Sequence, residues 1–124
     1  MTEGLRILTI EDDAPTAAAF RDALAESGHE VRIASDGRKA LAELAGWRPD
    51  VIVLDLLLPA VSGHTLLRYL RELPEYRQIP VVVVSGALPT LQQLDGANAV
   101  LRKPFDIREL LTLVERLRPR TRPN

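Results

Sequence analysis

Hydrophobic and polar positions divide the chain into two alternating kinds of segment. Short apolar runs rich in β-branched and aliphatic residues predict strands. These runs are residues 5–10, 31–34, 51–54, 79–84 and 99–101. The third and fourth runs are continuously apolar, as is typical of strands in a parallel sheet that helices cover on both faces. The pattern therefore predicts five strands.

The segments between these runs carry apolar residues at helical spacing. In residues 15–27, for example, Ala17, Phe20 and Leu24 recur every three or four positions. The other predicted helices are residues 36–45, residues 63–73, a short segment at 89–94, and a last helix after the cap residue Asp106. Strict alternation of strands and helices predicts a doubly wound α/β sandwich.

The length and composition indicate one folded domain. The chain has 124 residues, of which 46% are hydrophobic and 27% are charged, as in ordinary globular domains. Residues 119–124 are rich in proline and arginine and predict a flexible tail or linker remnant. We expect the folded domain to span residues 1–118.

Charge and missing residue types argue against several function classes. The net charge of -1 provides no general basic field for nucleic acid or an anionic membrane. The sequence contains no cysteine, so it predicts neither disulfides nor a thiolate metal site and fits a reducing compartment. No apolar segment at the start of the chain has the length of a signal peptide, and no apolar segment is long enough to span a membrane. A cytoplasmic location is the expectation.

Polar residues lie one to three positions beyond the ends of four of the predicted strands. They are Glu11, Asp12 and Asp13 after the first, Asp55 after the third, Ser85 after the fourth, and Lys103 after the fifth. Because the carboxyl ends of parallel strands share one edge of a sheet, we expect these side chains to converge there.

Some of these residues have purely structural explanations. Asp13, ahead of a proline, fits a helix cap, and taken alone Ser85 suits a turn and Lys103 a solvated position. Asp55 differs because a carboxylate at the end of an apolar run is costly to bury unless it is paired or binds a metal. An ion pair with Lys103 that serves only stability is the structural alternative.

The cluster suits a hard cation. Two or three carboxylates without histidine or cysteine favour Mg²⁺, which would also screen an incoming phosphoryl group from the charge of Asp55. Phosphoryl transfer needs positioning and charge compensation, which the ion, Lys103 and the Ser85 hydroxyl could supply. The residues predict a phosphoryl-accepting carboxylate.

Four stretches of the chain carry a family resemblance. Residues 8–13, 51–63, 82–86 and 102–105 resemble the receiver domain of bacterial two-component response regulators, in the right order and spacing over nearly the whole chain. The resemblance implies a flavodoxin-like (βα)5 sandwich with strand order 2-1-3-4-5. It also implies a signalling protein that catalyses only its own phosphorylation and dephosphorylation.

The resemblance also implies roles for individual residues. Asp55 would be the phosphoacceptor, supplied by a histidine kinase or a phosphotransfer protein. Asp12, Asp55 and the backbone carbonyl of Leu57 would bind Mg²⁺, and Glu11 would act through a water molecule.

On the opposite side of the phosphoryl group, Ser85 and Lys103 would contact the phosphoryl oxygens. The bond between Lys103 and Pro104 is expected to be cis. The signal would pass by contact with an output protein or onward through a phosphorelay, without direct contact to nucleic acid or membrane.

Two positions and the length of one helix depart from the family pattern. Val100 stands where the family usually has an aromatic ring, so the usual aromatic readout is not expected. Gly86 replaces a more common alanine, which predicts a more mobile loop and faster loss of the phosphoryl group. The fourth helix, residues 89–94, is shorter than usual. A monomer, or a homodimer through an unusual face, is therefore expected.

Three alternative functions fit the sequence less well. A pseudo-receiver would bind a partner without phosphorylation, but no essential acid, hydroxyl or lysine is missing. A flavodoxin would need a phosphate-binding loop where this chain has acids, and an aspartate-dependent phosphatase would need an acid at Leu57. Elsewhere, His29 and His64 are expected to be solvated, and Trp47 to pack on the second helix.

Overall fold

A single parallel sheet forms the centre of the molecule. The computed structural model describes residues 3–86 and 94–119. The strands are Arg6–Ile10 (β1), Glu30–Ala34 (β2), Val51–Asp55 (β3), Val81–Ser85 (β4) and Ala99–Arg102 (β5). Their order is β2-β1-β3-β4-β5, with every pair parallel. This confirms the predicted flavodoxin-like fold.

Four helices lie within the described residues, and a polar side chain caps the start of each. The helices are Ala14–Glu26 (α1), Gly37–Gly46 (α2), Gly63–Glu72 (α3) and Ile107–Arg116 (α4), capped by Asp13, Asp36, Ser62 and Asp106. Each cap accepts a hydrogen bond from a backbone N–H of the first turn, which no helical carbonyl can satisfy. The predicted helix at 89–94 lies, apart from Leu94, outside the described residues. The predicted tail, apart from Pro119, does as well.

The sheet separates two hydrophobic layers. Ile52 and Leu54 of β3 pack with residues of α2 and α3, whereas Val51 and Val53 pack with residues of α1 and α4. Every residue of β3 and β4 is buried, because the side chains of a strand alternate between faces and helices cover both. The continuous apolar runs of the sequence reflect this arrangement.

Two local predictions are wrong. The fourth strand begins at Val81 rather than at residue 79, since Pro80 has no amide hydrogen to donate to a neighbouring strand. His29 is buried, not solvated, and its Nδ1 accepts a hydrogen bond from the amide of Leu5 at 3.0 Å. His64 is exposed as predicted.

Trp47 packs at the end of α2, as expected. Its side chain is buried in the layer with α2 and α3, and the guanidinium of Arg32 lies 4.5 Å from the ring centroid. Within the segments that the structure describes, no helix combines the length and apolarity that crossing a membrane requires.

Candidate functional site

The polar residues predicted to converge lie at the carboxyl edge of the sheet. Glu11 directly follows β1, Asp55 ends β3 and Ser85 ends β4. In the register of the sheet Asp55 pairs with Val84, and the amide of Lys103 donates to the carbonyl of Ser85 at 2.8 Å. Parallel pairing therefore brings together residues that are far apart along the chain.

Lys103 bridges two of the acids. Its Nζ lies 2.7 Å from Oε1 of Glu11 and 3.2 Å from Oδ2 of Asp55. The Glu11 and Asp55 side chains are only 1% and 7% exposed. Burial lowers the pKa of Lys103, but its hydrogen bonds and charge interactions with Glu11 and Asp55 outweigh this and raise the pKa above its ordinary value. The amine therefore remains an ammonium ion.

Three carboxylates are close enough to share one cation. Oxygen atoms of Glu11, Asp12 and Asp55 lie within 4.8 Å of one another, with Asp12 exposed and the other two buried. Burial raises the pKa of Glu11 to about 7, although its hydrogen bond with Lys103 acts in the opposite direction. One ammonium cannot balance the three acids when all of them are ionised. An all-oxygen donor set of this charge fits a hard divalent cation such as Mg²⁺.

Asp13 lies beside this cluster and has a structural role. Its carboxylate accepts a hydrogen bond from the amide of Thr16 at 3.0 Å and caps α1, as predicted. Hydrogen bonds from the hydroxyl and the amide of Thr16 lower the pKa of Asp13. The amide of Asp13 donates to Oε2 of Glu11 at 3.3 Å, so the start of α1 also orients one metal-binding candidate.

The loop between β3 and α3 holds the other oxygen of Asp55. The amide of Leu57 donates to Oδ1 of Asp55 at 3.0 Å, which places the Leu57 backbone beside the site while its side chain is 66% exposed. A Cβ atom at Gly63 would lie 2.6 Å from the carbonyl oxygen of Asp55. No prediction from the sequence gives Gly63 a role, although a glycine directly after the cap Ser62, where other residues have a higher helix propensity, indicates a close approach of backbone.

The remaining site residues occupy the expected elements. Ser85 is buried at the end of β4, and the peptide bond between Lys103 and Pro104 is cis, as expected. Val100 lies on β5, half-buried against the layer with α2 and α3. Phe105 packs on Phe20 of α1 with ring centroids 5.7 Å apart.

Comparisons with known proteins agree with this geometry. Residues 7–115 match the family model described as response regulator receiver domain. The chain is 34% identical over 124 residues to the response regulator MprA of Mycolicibacterium vanbaalenii, covering 97% of this chain and 53% of that protein. The corresponding identity with MprA of Mycobacterium leprae is 33%, over 97% of this chain and 54% of that protein. The chain thus spans about half the length of the curated relatives it matches.

Solved structures of receiver domains show the same fold. The receiver domain of a signal transduction histidine kinase from Syntrophus aciditrophicus superimposes with a TM-score of 0.85 at 31% identity, covering 92% of this chain and 89% of that one. The chemotaxis response regulator CheY4 of Vibrio cholerae gives a TM-score of 0.84 at 28% identity, over 94% and 99%. Such domains are components of two-component signalling rather than classical enzymes. The chain belongs to the response regulator receiver domain family.

Proposed function

We propose that this receiver domain is a phosphoryl switch in which Asp55 accepts a phosphoryl group from the phosphohistidine of a histidine kinase or phosphotransfer protein. One observation carries the proposal. The buried carboxylate of Asp55 lies 3.2 Å from the Lys103 ammonium and within 4.8 Å of the carboxylates of Glu11 and Asp12. An ion pair that serves only stability would not need two further acids beside it.

The proposed reaction is a transfer between nitrogen and oxygen. A carboxylate oxygen of Asp55 forms a bond to phosphorus while the bond between phosphorus and the donor imidazole nitrogen breaks. The imidazole leaves with the bonding electron pair, and the product is an aspartyl phosphate. This reaction depends chiefly on alignment and on compensation of negative charge. Lys103 supplies one fixed positive charge at the acceptor.

Mg²⁺ is the cation that these donors would hold. The carboxylates of Glu11, Asp12 and Asp55 and the backbone carbonyl of Leu57 would bind it, with Glu11 acting through water. When bound, the ion neutralises the acids and the incoming phosphoryl oxygens. The receiver domain of the sensor kinase PA1611 of Pseudomonas aeruginosa, 28% identical with a TM-score of 0.83 over 92% of this chain and 97% of that one, was solved with a magnesium ion coordinated in its active-site cleft.

The output of the switch would be a change in protein contact. In the phosphorylated state the Ser85 hydroxyl and the Lys103 ammonium would bind phosphoryl oxygens. Since Val100 has no ring to reorient, the signal would reach the surface without the usual aromatic residue. We infer that the domain, residues 1–118, acts in this way in the cytoplasm as a monomer or an atypical homodimer.

Intact mass spectrometry tests the assignment. Wild-type protein incubated with acetyl phosphate and Mg²⁺ should gain the mass of one phosphoryl group, and Asp55→Asn should gain none. Asp36→Asn is the matched control, because Asp36 caps α2 and asparagine caps equally well. A gain in the Asp55 variant would contradict the assignment. No gain in the wild type would favour a pseudo-receiver that binds its partner without phosphorylation.

A further inference from the structure

The loop that carries Leu57 contacts the start of α2 at Gly37. Val61, near the end of this loop, is half-buried. A Cβ atom at Gly37 would lie 3.2 Å from Cβ and 3.5 Å from Cγ1 of Val61. The first distance is tighter than an ordinary van der Waals contact between carbon atoms. A side chain at position 37 would therefore press on the loop.

Backbone conformation does not explain the glycine. Among the described residues, the glycines with positive φ are Gly28 and Gly96, so position 37 has a backbone that other residues adopt. Within a helix, alanine has the higher propensity. The close approach of Val61 is therefore the feature that favours glycine at position 37, because a side chain there would displace Val61 by a few tenths of an ångström.

Hydrogen bonds connect successive parts of the loop between Val61 and Asp55. Inside it, the amide of Val61 donates to the carbonyl of Pro59 at 2.7 Å, and the amide of Gly63 donates to the carbonyl of Leu56 at 3.0 Å. At its other end, the amide of Leu57 donates to Oδ1 of Asp55 at 3.0 Å. A shift of Val61 would therefore reach the phosphoacceptor through the loop backbone together with these hydrogen bonds.

Of the two elements in contact, the loop is the one that would yield. Residues Ala40 and Leu44 hold α2 in the core, and the side chain of Asp36 caps the helix by accepting from the amide of Lys39 at 2.8 Å. The loop, in contrast, is exposed at Pro59 and Ala60.

We propose that Gly37 and Val61 are positioning residues that set the place of the Leu57 backbone beside Asp55, and so the geometry of the cation and phosphoryl site. Neither residue is among the proposed ligands of the site. The inference rests on the proposed function, since it concerns the geometry of the same cation and phosphoryl site.

Substitutions on both sides of the contact test the inference. Gly37→Ala should shift the Leu57 amide resonance in the metal-free protein and weaken the binding of Mn²⁺, measured by electron paramagnetic resonance, by about threefold or more. Gly46→Ala is the matched control, because it lies in the same helix and a Cβ there would have no neighbour within 4 Å. It should leave both measurements unchanged. Val61→Gly removes the Cβ atom that would lie 3.2 Å away, so combined with Gly37→Ala it should restore Mn²⁺ affinity to within about twofold of Val61→Gly alone.

The outcomes separate this inference from the proposed function. If Gly37→Ala leaves the Leu57 resonance and Mn²⁺ affinity unchanged, or if Gly37→Ala weakens Mn²⁺ binding as much in the Val61→Gly background as in the wild type, the inference is wrong even when Asp55 is phosphorylated. If the wild type is not phosphorylated, the amide shift still tests the inference. Should Gly37→Ala fail to fold, Val61→Ile adds bulk from the loop side and should give the same two changes.

Discussion

The ammonium nitrogen of Lys103 lies 3.2 Å from Oδ2 of Asp55, although 48 residues separate them along the chain. The same nitrogen is closer still to Glu11, at 2.7 Å. Lys103 therefore holds the acceptor carboxylate and a neighbouring acid in place before any phosphoryl group arrives. The stability of the protein and its chemistry depend on the same three residues.

Replacement of Lys103 by methionine should destabilise the metal-free protein. Lys103→Met leaves the buried acids Glu11 and Asp55 without their cation, and we expect a loss of about 1 to 2 kcal/mol in the free energy of unfolding. Urea denaturation in EDTA measures it. Arg68→Met, which removes an exposed cation from α3, should have little effect. Equal losses in both variants would contradict the prediction, because the buried contacts of Lys103 would then contribute no more to the free energy of unfolding than an exposed cation does.

Magnesium should stabilise the folded protein through the acid cluster. At a concentration about 100 times the dissociation constant, a ligand that binds only the folded state adds about 2.7 kcal/mol. Asp12→Asn should abolish most of the Mg²⁺-dependent rise in Tm. Asp13→Asn should keep it, because Asp13 caps α1 and asparagine caps as well. A full response in Asp12→Asn would exclude this residue as a ligand.

His29 should make stability fall in mildly acidic solution. Burial lowers the pKa of His29, and its Nδ1 accepts a hydrogen bond from Leu5, so the folded state favours the neutral ring. Glu115, with Oε1 3.5 Å from Nε2, raises this pKa, whereas Arg118 lowers it. The stabilisation is complete above the unfolded pKa of about 6.5 and is lost as the pH falls towards the lower folded value.

Urea denaturation between about pH 7 and 5 tests this expectation. The free energy of unfolding should fall more steeply in the wild type than in His29→Gln. His64→Gln, which changes an exposed histidine, should behave like the wild type. Parallel curves for the wild type and His29→Gln would contradict the prediction.

Thr9 offers a site for stabilisation. Its hydroxyl is fully buried on β1 and has no hydrogen-bond partner among the residues that the structure describes. Thr9→Val removes this unsatisfied group at similar size and should raise the free energy of unfolding by about 1 kcal/mol. Thr112→Val is the comparison, because that hydroxyl donates to the carbonyl of Arg108 at 2.9 Å. Thermal denaturation should show a higher Tm for the first variant and no gain for the second.

Arg71 should stabilise the fold by joining the residues before β4 to the described residues that precede β5. Its guanidinium donates to the carbonyls of Gly96 and Ile79, each at 2.8 Å, and to Oδ1 of Asn98 at 2.9 Å. Lysine cannot reproduce this planar fork, so Arg71→Lys should cost about 1 to 3 kcal/mol in urea denaturation. Arg68→Lys, at an exposed position of the same helix, should cost much less.

Much of the fold and of the candidate site was predictable from sequence. Apolar runs separated by helical periodicity determined the class of fold, because burial on both faces of a parallel sheet leaves that pattern in any such chain. Asp55 stood out because an acid ending an apolar run needs a compensating partner. The acids, the serine and the lysine could be assigned to one edge because parallel strands end together.

The sequence by itself therefore determined the elements, their alternation and the edge at which charge collects. Only the tertiary structure decided that His29 is buried and that Lys103 contacts Glu11 as well as Asp55. It also decided that Val61 lies close to the place a side chain at Gly37 would occupy. The physical reason is that periodicity and strand ends are local properties of the chain. Burial of a polar ring, the reach of a lysine and contact between a helix and a loop depend on segments that meet only when the sheet and helices pack.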